Sequence, residues 1–119
     1  MKVAITSQGK VLQAAVDSRF GRANYFLIVD TERDSVTAIE NRVSQTALQG
    51  AGIQAGKKVV DLGVGAIITG HVGPKAFATL EAGNVAIYTC GDGTAAQAIE
   101  QFKAGSLKMA AAADVEGHW

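Results

Sequence analysis

Ala66-Ile-Ile-Thr-Gly-His-Val-Gly-Pro-Lys-Ala-Phe77 is the stretch on which the fold turns. Its first four residues are apolar or β-branched and glycine-bounded, the pattern of a short strand buried on both faces. Pro74, the only proline, has its φ fixed at a value that suits a first helical turn, and Phe77 and Leu80 follow at i and i+3. Val85-Ala-Ile-Tyr-Thr89 repeats the strand pattern. Behind it, Ala95, Ala98, Ile99 and Phe102 fall at i, i+3, i+4 and i+7, opened by a capping box from Thr94 to Gln97. Strand, helix, strand, helix implies parallel pairing, because a helical crossover returns the chain in the same direction.

Working outward, Lys2 to Thr6 alternates with Val3 and Ile5 on one face. Tyr25 to Val29, ended by Asp30, and Val36 to Ile39 flank the polar turn Thr31-Glu-Arg-Asp34 and read as an antiparallel hairpin. Thr46-Ala-Leu-Gln49 fits a second capping box, and Leu48, Ala51, Ala55, Val59 and Leu62 keep helical spacing. Gly50, Gly52 and Gly56 weaken that helix by roughly 1 kcal/mol each, and their small size suits close packing against the sheet. The expected fold is α/β, in the order β-β-β-α-β-α-β-α. It has a five-stranded mixed sheet with helices on both faces, because continuous apolar strands need cover on each side. Residues 1–107 form the expected domain and 108–119 a C-terminal tail that includes the alanines from Ala110 to Ala113.

Composition narrows the function. The 119 residues are 48% hydrophobic and 18% charged, which describes one globular domain rather than a disordered or fibrous chain. Eleven Lys+Arg cancel eleven Asp+Glu, so no overall charge draws the chain to nucleic acid or anionic lipid, and an anion must be bound locally. One Cys and two His cannot build an intramolecular disulfide or a four-cysteine iron-sulfur or zinc site. No apolar run nears the ~20 residues of a membrane span, and Met1-Lys2 leads straight into strand-like sequence. The expectation is a soluble, cytoplasmic protein, monomeric or weakly dimeric.

Ligands of open α/β sheets gather beyond the C-terminal ends of parallel strands. Two glycine loops belong there: Gly70-His-Val-Gly-Pro74 with Lys75, and Cys90-Gly-Asp-Gly-Thr94. Asp17-Ser-Arg-Phe-Gly-Arg22 adds two guanidiniums, whose planar forks suit large, weakly hydrated anions. Each feature also has an ordinary use. Gly91-Asp-Gly-Thr-Ala-Ala96 matches a dinucleotide pattern formally, but no strand is expected after its helix to supply the ribose-binding acid. His71 alone fits a solvated side chain, Cys90 an inert strand-end residue, and Arg19 and Arg22 salt bridges to Asp17 and Asp30. His118 and Trp119 fit a tail or, for the indole, a lid. No P-loop, nucleophile elbow, His-x-x-x-His or Cys-x-x-Cys occurs, and the first strand lacks the carboxylate that metal-dependent hydrolysis would need, so no enzyme is expected.

Taken together, Asp17-Ser-Arg-Phe-Gly-Arg-Ala23 before Tyr25-Phe-Leu-Ile-Val-Asp30, Gly70-His-Val-Gly-Pro-Lys-Ala-Phe77 with Leu80, and Gly93-Thr94 with Ala98, Ile99 and Phe102 resemble the dinitrogenase iron-molybdenum cofactor-binding family, over Met1 to about Leu107. The resemblance implies a ribonuclease H-like α/β/α motif without hydrolase activity, and binding or carriage of anionic molybdenum-containing sulfide clusters. Nitrogenase members imply iron-molybdenum cofactor or its precursors. Members in sulfate-reducing bacteria, which the chain resembles most, imply a non-covalently held molybdenum-copper sulfide cluster and association with P-loop ATPases linked to cell division. Such a cluster has its metals saturated by sulfide, so it asks for amide donors, cations and a partly dry wall rather than thiolates. The expected cluster site is Arg19, Phe20, Gly21, Arg22, Gly70, His71, Val72, Gly73, Pro74 and Lys75, with His71 as the candidate metal ligand and Phe20 and Phe77 as apolar wall. Cys90, Gly91, Asp92, Gly93 and Trp119 are secondary candidates.

Overall fold

A computed structural model describes residues 1–41 and 50–111. Among them are six strands, β1 (Lys2–Ser7), β2 (Tyr25–Asp30), β3 (Ser35–Glu40), β4 (Ala66–Thr69), β5 (Ala86–Thr89) and β6 (Lys108–Met109), and three helices, α1 (Ala51–Asp61), α2 (Pro74–Ala82) and α3 (Ala95–Lys103). The Thr46 to Gln49 capping box, Leu48, His118 and Trp119 lie outside the described residues.

The sheet order is β3-β2-β1-β4-β5-β6. β1, β4 and β5 run parallel, while β2 and β3 pair antiparallel in the expected hairpin. At its turn Asp30 Oδ1 accepts from the Glu32 and Arg33 amides at 3.0 and 3.3 Å. The Glu32 bond outweighs desolvation and holds the Asp30 carboxyl below its ordinary pKa. Asp34 completes the turn at φ 54°, a left-handed conformation that Asp tolerates better than most residues.

Two sequence expectations need correction. The sheet has six strands, not five: Lys108 and Met109, assigned to the tail, pair antiparallel with Thr89 and Tyr88, and the Ala110 amide donates to the Ile87 carbonyl at 2.8 Å. A two-residue strand offers too little periodicity to be read. This strand also follows the helix of the formal dinucleotide pattern, yet it supplies Lys108 and Met109 rather than a carboxylate. The second correction concerns Gly52 and Gly56, which meet α2 rather than the sheet. A Cβ on Gly52 would lie 3.0 Å from Ala76 Cβ, and one on Gly56 would lie 2.9 Å from Thr79 Cγ2. The glycines that weaken α1 in isolation let two helices close on each other.

Both sheet faces are covered. α1 and α2 pack Ala55, Val59, Ala76 and Leu80 against Ala4, Phe26, Ile67 and Ile87, with Phe20 and Val72 in the same cluster. α3 packs Ala95, Ala98 and Ile99 against Val3, Ile5, Leu27 and Ile68 on the other face. Its expected capping box is present, the Thr94 hydroxyl accepting from the Gln97 amide and the Gln97 side chain from the Thr94 amide.

Candidate functional site

Because β1, β4 and β5 are parallel and in register, the loops that follow them leave the sheet at one edge. Beneath these loops lies a buried hydroxyl pair. Thr6 Oγ1 sits 2.7 Å from the Asp17 carbonyl and 2.8 Å from Thr69 Oγ1. A carbonyl only accepts, so the Thr6 proton goes to Asp17 and Thr69 donates to Thr6. The ends of β1 and β4 are thereby tied to the arginine loop.

The arginine loop and the first glycine loop are zipped by their backbones. The His71 amide donates to the Ser18 carbonyl at 2.8 Å, and the Phe20 amide donates back to the His71 carbonyl at 3.3 Å, a parallel bridge between Arg19 and His71. Gly70 makes the approach possible, since a Cβ there would stand 2.7 Å from Ser18 Cα and 2.9 Å from its carbonyl oxygen. Phe20 and Val72 turn inward, and Arg19 and His71 beside them are exposed.

This geometry corrects part of the expected site. Phe20 is fully buried, its ring 5.7 Å from that of Phe26, so it anchors the loop and does not wall a pocket. Val72 is likewise core, and Gly21 and Gly73 are buried. Phe77 is half-buried against the same core. The His71 amide, one of the glycine-loop donors expected to face a ligand, is used together with the Phe20 amide in joining the two loops. Exposed at this edge are Arg19, His71, Pro74 and Lys75, with Arg22 half-buried.

Asp17 prearranges the arginine. Its Oδ1 accepts the Arg19 backbone amide at 3.1 Å and the guanidinium Nε at 3.4 Å. Of the salt bridges anticipated from sequence, the Asp17–Arg19 pair is formed, the carboxylate side chain 3% exposed and the arginine 45%. One edge of the guanidinium is held while much of the side chain still faces solvent.

The two helix N-termini at this edge differ. At α3 the Ala95 and Ala96 amides donate to the Ala14 and Leu12 carbonyls at 2.9 and 2.8 Å, and the capping box takes the next donors. That terminus is closed by the chain itself. At α2, Gly73 is the N-cap without a side-chain cap and Pro74 has no N–H, so the first-turn amides of Lys75 and Ala76 have no intrahelical acceptor. Positive potential at an uncapped terminus favours an anion, and Lys75 adds charge there.

The second glycine loop is tied instead to the stretch before Asp17: the Val16 amide donates to the Gly93 carbonyl at 2.9 Å, and Ala15 bridges to Thr94. Gly91 and Asp92 are exposed, while Cys90 is half-buried against the α3-side core. Burial pushes the Cys90 thiol above its ordinary pKa. Less thiolate at a given pH means slower alkylation, so iodoacetamide at pH 8 is expected to modify Cys90 more slowly than a free thiol. A free-thiol rate would place the sulfur at the open surface.

Among the described residues no three His, Cys, Asp or Glu side chains converge in a metal-holding group. The edge is therefore built of cations and donors around bare backbone. The model of the dinitrogenase iron-molybdenum cofactor family matches residues 1–105. The chain belongs to that family. The apo orange protein of Desulfovibrio gigas superposes with a TM-score of 0.93 at 37% identity, over 96% of each chain. A proposed NifB protein of Thermotoga, solved by NMR, does so at 0.85 and 39% over 98% of each. An uncharacterised protein of Methanocaldococcus jannaschii is 27% identical over 111 residues, 91% of this chain and 90% of its own. Family membership and these likenesses support a role in binding or carrying a metal-sulfur cofactor. No helix among the described residues is long and apolar enough to cross a membrane.

Sequence reading missed Thr6, Thr69 and Ser18. Each acts through hydrogen bonds at a sequence distance, and a lone Thr or Ser at a strand end or in a loop looks like any other.

Proposed function

We propose that this family member is a non-catalytic carrier of an anionic molybdenum-copper sulfide cluster, held without covalent attachment at the loop edge of β1 and β4. The observation that carries the reading is the parallel bridge between Arg19 and His71, which sets a preoriented guanidinium and an imidazole side by side. The uncapped start of α2, with Lys75, lies one short loop away. The donor set suits a cluster whose metals already have sulfide ligands: it offers hydrogen-bond donors and positive charge. The likeness to orange protein favours molybdenum and copper, while the family's description supports iron-molybdenum cofactor as the alternative cargo.

Anaerobic titration of the apoprotein with tetrathiomolybdate and copper(I), followed by desalting, is expected to leave colour and both metals at a fixed ratio on the protein. A colourless, metal-free fraction would count against the cargo. Arg19→Ala and Lys75→Ala should each lower retention by about tenfold, the worth of one charge-assisted hydrogen bond. Melting temperature should stay within about 2 °C in Lys75→Ala, since an exposed charge contributes little to folding, and should fall further in Arg19→Ala, which takes the partner from the buried Asp17 carboxylate. Unchanged retention in both would move the site elsewhere.

The resemblance extends the reading to a P-loop ATPase partner linked to cell division. Pull-down with apo and loaded protein tests it, and identical recovery in the two states would remove the cargo from that contact.

A further inference from the structure

The arginine loop is held by the Ser18–His71 bond on the β4 side and by a buried side chain on the hairpin side. That side chain is Asn41, fully buried and placed just after β3. Its Nδ2 donates to the Gly21 carbonyl at 3.2 Å and the Ala23 carbonyl at 2.9 Å, and its backbone amide donates to the Asn24 carbonyl at 3.1 Å. Three carbonyls within four residues thus converge on one residue. The side-chain amide alone carries two hydrogens on one atom at this size, and a carboxylate of the same shape carries none. Among the described residues, Asn41 Oδ1 is a buried side-chain oxygen without a hydrogen-bond partner.

We infer that Asn41 is the positioning residue of the cargo site, fixing the Arg19–Arg22 loop so that Arg19 stays beside His71. This rests on the proposed carrier function, and it deepens that reading by naming what holds the binding cation in place. β3 pairs in register with β2, Tyr25 opposite Glu40, so Asn41 refers the loop to the hairpin while the Ser18–His71 bond refers it to β4. Loss of the Asn41 bonds frees one end of the loop without touching either exposed cation.

The test compares wild type with Asn41→Asp, which keeps the shape and points oxygens at two carbonyls, and Asn41→Leu, which keeps the volume without donors. Two readouts are taken well below each variant's melting temperature: retention of tetrathiomolybdate and copper(I) after desalting, and amide exchange at Phe20 and His71 in the apoprotein. Retention is expected to fall about tenfold in both variants, with a changed visible circular dichroism of the cargo that remains. Exchange at Phe20 and His71 should accelerate about tenfold while the Ile5 amide in β1 stays protected. A residue that merely supports folding would lower the melting temperature and leave both readouts of the folded protein alone, and that outcome overturns the inference. If wild type retains no cargo, the carrier function fails by itself. The exchange data then decide Asn41 separately, with unchanged Phe20 and His71 rates again overturning its positioning role.

Discussion

Phe20→Ala is expected to destabilise the protein by about 3–5 kcal/mol, the cost of truncating a large, fully buried ring. For a domain of this size that corresponds to a fall in melting temperature of roughly 10–20 °C. The ring lies in the core cluster with Phe26, Leu80 and Val72, although it belongs to an arginine-rich loop. Its loss removes the apolar anchor from which Arg19 and Arg22 project, so cargo retention should fall even in the folded fraction. Thermal unfolding followed by circular dichroism measures the first effect. A shift of only a few degrees would place the ring at a pocket rim.

Gly70→Ala should cost about 1–3 kcal/mol and, more tellingly, abolish cargo binding by at least an order of magnitude. The added methyl would meet Ser18 Cα at 2.7 Å, its carbonyl oxygen at 2.9 Å and its Cβ at 3.0 Å. Two of these atoms are backbone, so no rotamer change relieves the clash and the loops must separate. Separation breaks the Ser18–His71 and Phe20–His71 bonds that set Arg19 beside His71. Unlike Phe20→Ala, this change leaves the core intact, so binding should suffer more than stability. Comparison of melting temperature with cluster retention separates the two, and wild-type retention would show that the bridge is dispensable for the site.

The contrast between these positions explains what could be read in advance. The repeated strand-helix pattern from Ala66 to Phe102 and the hairpin around Thr31–Asp34 follow local rules of periodicity, proline and capping, and the fold shows them with ends shifted by a residue or so. β6 was hidden because two residues carry no period. Phe20 was misplaced for a related reason: between two arginines it reads as the wall of a ligand pocket, and only the packing of the helices against the sheet provides an interior for it.

The cationic loops were legible because Arg, Lys and Gly advertise their chemistry by type. Their joining was not. Whether α2 or α3 offers an open N-terminus depends on Leu12 and Ala14, whose carbonyls close α3 from more than eighty residues away in sequence. Likewise, nothing local marks Asn41 as the holder of Gly21 and Ala23.

By itself, then, the sequence determined the parallel strands, their helices and the two loop types at one sheet edge, because these depend on periodicity and on side-chain chemistry within a few residues. Tertiary structure alone decided which aromatic is buried, which amides are already used and which helix end stays open. Those outcomes depend on hydrogen bonds and contacts between residues tens of positions apart, and a local pattern carries no record of them.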